Sequence, residues 1–342
     1  MVGARSLLIG LLLLVSGCAE DSNTADRVEV HDYPEFKAWV DHSVEPHSEM
    51  AAAALLNTAQ AFANLDEPLL NKVLARNFQQ HDPMLAPGRE GLLALAGVEG
   101  HPRGGAPNIM EDTALLLYDP PWLVIHRGGR LGPLRSHNFD LLQFSDSGKW
   151  QAYLSYLQPL EAGWLDNLLF SFVVPRQLDL IPSQERQPQP LWLGRTEYSA
   201  RFTTTAAETN LNRELVRSYL DGLQQNAEPV RELVERYLAP EFQLHLPGIP
   251  AGRESLVAML ERAQRRPGAI TVQLVLAQHD LVWILSRVQE IREADIPVLA
   301  AADLFRVRNG MIVEQWKVVQ PVPRFANNKN GLFPRPLMDE ME

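Results

Sequence analysis

Residues 78–92 read FQQHDPMLAPGREGL, and residues 242–256 read FQLHLPGIPAGRESL. The two stretches align without a gap at an offset of 164, and eight of the fifteen positions are identical: Phe, Gln, His, Pro, Gly, Arg, Glu and Leu. Average composition gives roughly one identity by chance over such a length. The match resumes downstream. Asp140-Leu141-Leu142-Gln143-Phe144 aligns with Asp303-Leu304-Phe305-Arg306-Val307, and Gln158-Pro159 with Gln320-Pro321, so the offset drifts only from 164 to 162. The same elements therefore recur in the same order, and the chain reads as one domain present twice. We place the first copy at residues 45–160 and the second at 207–333. Residues 161–206, with Pro175, Pro182, Pro188 and Pro190 in a polar stretch, read as a linker, with one candidate packed piece at 164–174. Residues 334–342 form a tail.

Composition agrees with two cores. A chain of 342 residues is a prior of about two domains. Hydrophobic residues at 46% and charged residues at 21% exclude a disordered or collagen-like chain. A net charge of −11 argues against nucleic acid as a partner, because an acidic surface repels a phosphate backbone. The single cysteine excludes an intrachain disulfide.

That cysteine has its own reading. Arg5 precedes an apolar run over residues 6–15 that is too short to span a bilayer stably. Val15-Ser16-Gly17-Cys18 follows at once and resembles the lipobox of bacterial lipoproteins, in which the thiol is acylated and becomes the mature N-terminus. Residues 1–17 are thus expected to be a signal peptide, Cys18 the lipidation site and 18–44 a polar, acidic tether. Ala19, rather than Asp, follows the cysteine, which favours the outer membrane facing the periplasm.

The second copy shows its elements best. Leu211, Leu215, Tyr219 and Leu223 recur every four residues and predict a helix. Val230, Leu233, Val234 and Tyr237 predict a second, stopped at Pro240; 242–246 is a short strand; Gly252-Arg253-Glu254-Ser255 opens a third helix. Residues 270–277, 281–288, 298–307 and 311–319 read as strands, the last two joined by Asn309-Gly310, a strong hairpin signal. Three helices followed by a curved antiparallel sheet make an α+β domain. Nothing alternates as βαβ, and no nicotinamide, flavin, nucleotide or metal motif stands out, so no cofactor is expected.

The early His-x-Pro and Gly-Arg-Glu, the late Asp303-Leu304-Phe305-Arg306-Val307-Arg308-Asn309-Gly310-Met311-Ile312-Val313-Glu314-Gln315-Trp316, and then Gln320-Pro321-Val322-Pro323, resemble the SnoaL-like proteins of the nuclear-transport-factor-2-like superfamily. The resemblance covers 207–333 and is weaker over 45–160. It implies two tandem cone-shaped α+β barrels, each with helices on a curved sheet around a pocket open at one end. The superfamily holds cyclases, isomerases, dehydratases and proteins with no known reaction, so the fold alone does not assign function. Cyclases of this fold carry an Asp four residues after the Trp. This chain has Gln320 there, and Gln158 in the first copy, and Gln cannot take a proton.

Strand alternation sorts candidate site residues. Trp316, Val318 and Gln320 share one face of the last strand, and its apolar character assigns it to the pocket; Leu154, Tyr156 and Gln158 are the first-copy equivalents. Asp303 and Phe305 share a face of the preceding strand, matched by Asp140. Asp303 and Asp140 are carboxylates amid apolar residues, suited to acid–base work or to satisfying the Arg of the repeated Gly-Arg-Glu. His245 and His81 are proton relays or turn-bound structural groups. Arg253 and Arg89 are anion clamps or salt-bridge partners. His126, His137, His81, Asp82 and Asp140 have no metal-ligand spacing, so no metal is expected.

The leading expectation is a lipid-anchored envelope protein binding a small, largely apolar molecule, with Trp316, Val318, Phe305, Tyr156, Asp140, His81 and His126 as ligand-binding candidates. The alternatives are a cyclase, isomerase or aldol-type enzyme using Asp303 as base, His245 as relay and Gln320 as oxyanion donor, and a non-catalytic assembly module. The second copy, with its Trp, is expected to hold the working pocket. The first carries Asp119-Pro120-Pro121, expected to interrupt its sheet, and a Gly/Pro-rich insertion at 100–107. The two copies are expected to pair through their sheets near Gln143 and Arg306, leaving the chain a monomer.

Overall fold

The computed structural model describes residues 40, 49–64, 67–82, 85–96, 113–131, 134–159, 204–225, 228–246, 249–264, 268–290, 298–322 and 328–334. The expected signal peptide, Cys18, the 100–107 insertion and the 164–174 stretch lie outside them.

The first domain runs α1 (Glu49–Asn64), α2 (Glu67–Val73), β1 (Leu74–Gln80), α3 (Arg89–Ala96), β2 (Thr113–Asp119), β3 (Trp122–Leu131), β4 (Leu134–Phe144) and β5 (Trp150–Pro159). The second repeats the order with α4 (Ala206–Gln225), α5 (Val230–Tyr237), β6 (Leu238–His245), α6 (Arg253–Gln264), β7 (Gly268–Gln278), β8 (Leu281–Glu290), β9 (Leu299–Arg308) and β10 (Met311–Pro321). The sheets are ordered β1-β5-β4-β3-β2 and β6-β10-β9-β8-β7. Each is an antiparallel meander whose last strand takes the domain's first strand alongside it in parallel. These are two tandem cone-shaped α+β domains.

Local chemistry explains the boundaries. Thr205 and Glu208 cap α4 reciprocally: Glu208 Oε2 accepts from the Thr205 N–H at 2.7 Å, and Thr205 Oγ1 from the Glu208 N–H at 3.2 Å. Asn309 and Gly310 take φ of 52° and 72°, the backbone that a two-residue hairpin turn demands. Gly222 lets α4 approach α5, since a Cβ there would lie 2.5 Å from Leu233 Cδ1. One expectation is corrected. Asp119-Pro120-Pro121 does not interrupt the first sheet; the prolines form the turn between β2 and β3, where no ladder donor is needed, and Pro121 O accepts from Phe144 N at 2.8 Å.

Packing gives the layer order helices, sheet, sheet, helices. One core lies between the first sheet and its helices, with Leu70, Phe78, Ile125 and Trp150. A second lies between the other sheet and its helices, with Tyr219, Val234, Phe242 and Phe305. A third joins the sheets face to face, with Phe139, Leu154 and Tyr156 from one domain and Trp283, Leu304, Trp316 and Val318 from the other. Gln143 and Arg306 lie on these inter-sheet faces: Gln143 is paired with Ala152, and Arg306 Cζ sits 5.3 Å from the centre of the Trp316 ring. Asp119 Oδ2 completes the contact by accepting from Ala277 N and from Arg213 Nη2, each at 2.9 Å.

Candidate functional site

One residue in each domain decides which side chains meet inside the cone. Leaving the Asn309-Gly310 turn, Met311 pairs with Arg308 and Ile312 with Val307; then Val313 is skipped, and Glu314 pairs with Arg306. This bulge shifts the register by one, so Asp303 faces Lys317 while Trp316 faces Leu304. The first domain makes the same skip at Gln151, which sets Asp140 opposite Ser155 and Leu141 opposite Leu154.

The consequence corrects the expected site. Trp316 and Val318 share no face with Asp303; they are fully buried against the other sheet. Gln320 pairs with Ala300 on that same inter-sheet face, and His245 pairs with Trp316 there, stacked on its ring at 4.9 Å with planes 6° apart. Asp303, His245 and Gln320 therefore do not assemble into one site. Tyr156 and His126 also lie between the sheets rather than in the first cone. Phe305 does face the helices, in edge contact with Tyr219 at 6.3 Å.

Asp303 sits in the second cone with two partners absent from the expected set. Lys317 Nζ donates to Oδ2 at 2.8 Å and to Oδ1 at 3.0 Å; Gln315 Nε2 donates to Oδ1 at 2.7 Å. Lys317 keeps 22% of its side chain exposed against 7% for Asp303, so water reaches the cation's end of the pair. Gln315 Oε1 is buried and meets no donor. Leaving an amide oxygen so costs ~1–3 kcal/mol. Burial, with the Asp303 charge adding to it, pushes the nearby Tyr219 hydroxyl above its usual pKa.

In the first cone the aspartate has other partners. Asp140 is wholly buried, ion-paired with Arg127 Nε and accepting from the Tyr153 hydroxyl at 2.9 Å. Burial alone would lower Arg127, but the Asp140 carboxylate holds it above its usual value. Burial foremost, and then Asp140, pushes Tyr153 far up, so it stays a neutral donor.

The inter-sheet histidines form a separate cluster. His126 Nε2 and His137 Nε2 meet at 2.5 Å, so one ring carries its proton on Nε2 and the other on Nδ1. His126 also stacks on Phe139 at 4.8 Å and lies 5.8 Å from Trp316. Burial lowers the His137 pKa to about 3, with His245 adding to it. His126 falls well below its usual value through burial, then through His137, His245 and Arg306. Beside them Arg306 Nη1 donates to Glu314 Oε2 at 2.6 Å. Burial alone would raise Glu314, but the His245 ring, 4.0 Å away, and the Arg306 guanidinium hold it below the usual range.

The repeated motif proves to be architectural. Gly88 and Gly252 take φ of 82° and 103°, which favours glycine. Arg89 Nη1 donates to Leu74 O at 3.1 Å and Arg253 Nη1 to Leu238 O at 3.2 Å. Each arginine thus ties down the matched helix-to-strand junction and pairs with neither Asp140 nor Asp303. His81 Nδ1 donates to Gly331 O at 2.8 Å, and Tyr156 donates to Leu332 O at 2.6 Å. The segment after β10 therefore straps across to the first domain, helped by Asn330 Nδ2 on Gln80 O at 2.6 Å.

Among the described residues no group of three or more His, Cys, Asp or Glu is placed to hold a metal; His81, Asp82 and Asp140 do not join His126 and His137. Among those residues, too, no helix is long and apolar enough to cross a membrane. A cavity of about 460 Å³ lies at the β6–β10 edge over the bulge, lined by Pro240, Gln243, Asn309, Val313 and Glu314, and holds none of the expected site residues.

No protein-family model matches the chain, and no curated protein does. Solved structures do. IdmH from Streptomyces antibioticus is 20% identical over 32% of this chain and 91% of its own, with a TM-score of 0.28. An NTF2-like protein of unknown function from Mesorhizobium loti is 22% identical over 33% of this chain and 93% of its own, TM-score 0.28. An LEH-like epoxide hydrolase from M. tuberculosis is 17% identical over 33% of this chain and 85% of its own, TM-score 0.28.

Proposed function

We propose that the chain is a lipid-anchored envelope protein that binds one small, largely apolar molecule inside the second cone. The observation that carries this reading is the buried, donorless Gln315 Oε1 beside the Asp303–Lys317 pair, set in walls that include Tyr219, Ile284 and Phe305. A satisfied core has no use for an open acceptor, whereas a ligand site has a few such polar points amid apolar lining. The first cone, with Asp140 fully partnered, is scaffold. The acid–base alternative built on Asp303, His245 and Gln320 loses its support, because the three occupy opposite faces of the sheet.

Native mass spectrometry of the protein extracted from its own membrane tests the binding. One small molecule retained by the wild type and lost from a Gln315→Leu, Lys317→Met variant is expected. Retention of the same molecule by that variant would refute the site. The anchor rests on Val15-Ser16-Gly17-Cys18 and on this being the chain's one cysteine. Metabolic labelling with an alkyne fatty acid should mark the wild type and leave Cys18→Ala unmarked; equal labelling removes the anchor.

A further inference from the structure

The two cones share an aspartate and differ in what surrounds it. On β3, Arg127 lies two residues beyond Ile125, the partner of Asp140; on β8, Ser286 lies two residues beyond Ile284, the partner of Asp303. On the other flank Ser155 faces Asp140 and Lys317 faces Asp303. Cation and serine have exchanged strands. Two residues earlier, Tyr153 of β5 is matched by Gln315 of β10, so a phenol hydroxyl on the aspartate has become an amide with two ends.

A carboxylate only accepts, so the Gln315 amide turns its NH2 to Asp303 and its oxygen away. Lys317 has three N–H bonds and spends two on Asp303. Both heads meet at Asp303 Oδ1, at 2.7 and 3.0 Å, so the amide with the vacant oxygen and the ammonium with the remaining N–H converge on one atom. The Asp303–Lys317 pair is already neutral.

We infer that the second cone selects a neutral apolar molecule bearing a hydroxyl, whose O–H donates to Gln315 Oε1 and whose oxygen accepts from Lys317. This rests on the reading above that this cone binds a small apolar molecule. A single hydroxyl is donor and acceptor at once and matches both groups. A carboxylate has no proton for Gln315 and adds an uncompensated charge to a balanced, largely buried pair. An ether or ester accepts from Lys317 but leaves Gln315 unpaired, and sites built around a polar contact reject the analogue that lacks it.

Three probes of one chain length decide the matter: 1-decanol, its methyl ether and decanoate, titrated calorimetrically into the mature protein carrying Cys18→Ser. The alcohol is expected to bind, and the ether and decanoate at pH 7 to bind roughly tenfold more weakly or worse. Gln315→Leu should bring alcohol and ether within about threefold of each other. Decanoate binding as tightly as decanol, or a preference for the alcohol that survives Gln315→Leu, overturns the inference and leaves the binding reading standing. Failure of all three probes, with nothing retained from the native membrane, overturns the binding reading itself.

Discussion

His126 and His137 meet Nε2 to Nε2 at 2.5 Å between the two sheets, and neither can take up a proton without placing a charge in that apolar layer. Both folded pKa values are lowered, His137 to about 3, below the 6.5 of an unburied imidazole. Below 6.5 the unfolded chain therefore binds protons that the folded chain does not. The histidines cost no stability above 6.5 and an increasing amount as the pH falls from 6.5 towards 3. Each titrating histidine contributes about 1.4 kcal/mol per pH unit. The groups facing them are Trp316 of β10, His245 of β6 and Arg306 of β9, the last paired with Glu314. Urea unfolding of wild type and of His126→Leu, His137→Leu between pH 7 and 4.5 checks this: the wild type should weaken more steeply. Equal slopes would rule it out.

Trp316 is a keystone of the contact between domains, fully buried between His126, His245 and Arg306. Trp316→Ala should cost ~3–5 kcal/mol in global stability. Decanol binding in the second cone, measured where the variant is still folded, should stay within about threefold of wild type. A stable variant with abolished binding would return Trp316 to the pocket.

Arg253 holds the α5–β6 junction through Leu238 O. Arg253→Ala removes the donor from a part-buried carbonyl and should destabilise by ~1–3 kcal/mol. A titration with inorganic phosphate should detect no binding in either form, since the arginine serves the backbone. Phosphate binding lost in the variant would restore the anion-clamp reading.

The sheet faces that a single domain would leave bare are buried here against each other, with Leu154 and Tyr156 on one side and Trp283 and Leu304 on the other. Residues 18–342 with Cys18→Ser should sediment as a monomer at micromolar concentration. A stable dimer would show that a further face is in use.

Much of the architecture was legible in residue order. The 164-residue offset between Phe78 and Phe242 foretold two like domains, and the Leu211-to-Leu223 spacing foretold α4. Asn309-Gly310 located the β9–β10 turn because only a few residues accept its backbone angles. These features are set by short-range geometry and by apolar periodicity, which the sequence carries directly.

The contents of the cone were decided by tertiary structure alone. Strand alternation says that Trp316 and Lys317 point opposite ways, but not which one joins Asp303. An unbroken register from the Asn309-Gly310 turn pairs Asp303 with Trp316; the bulge at Val313 replaces it with Lys317. Apolarity could not arbitrate, since β9 is buried from Leu299 to Val307 on both faces, by helices on one and a second sheet on the other. A one-residue skip leaves no periodic trace, yet it turns over every side chain beyond it, and its place is chosen by how β6 and β9 pack along β10.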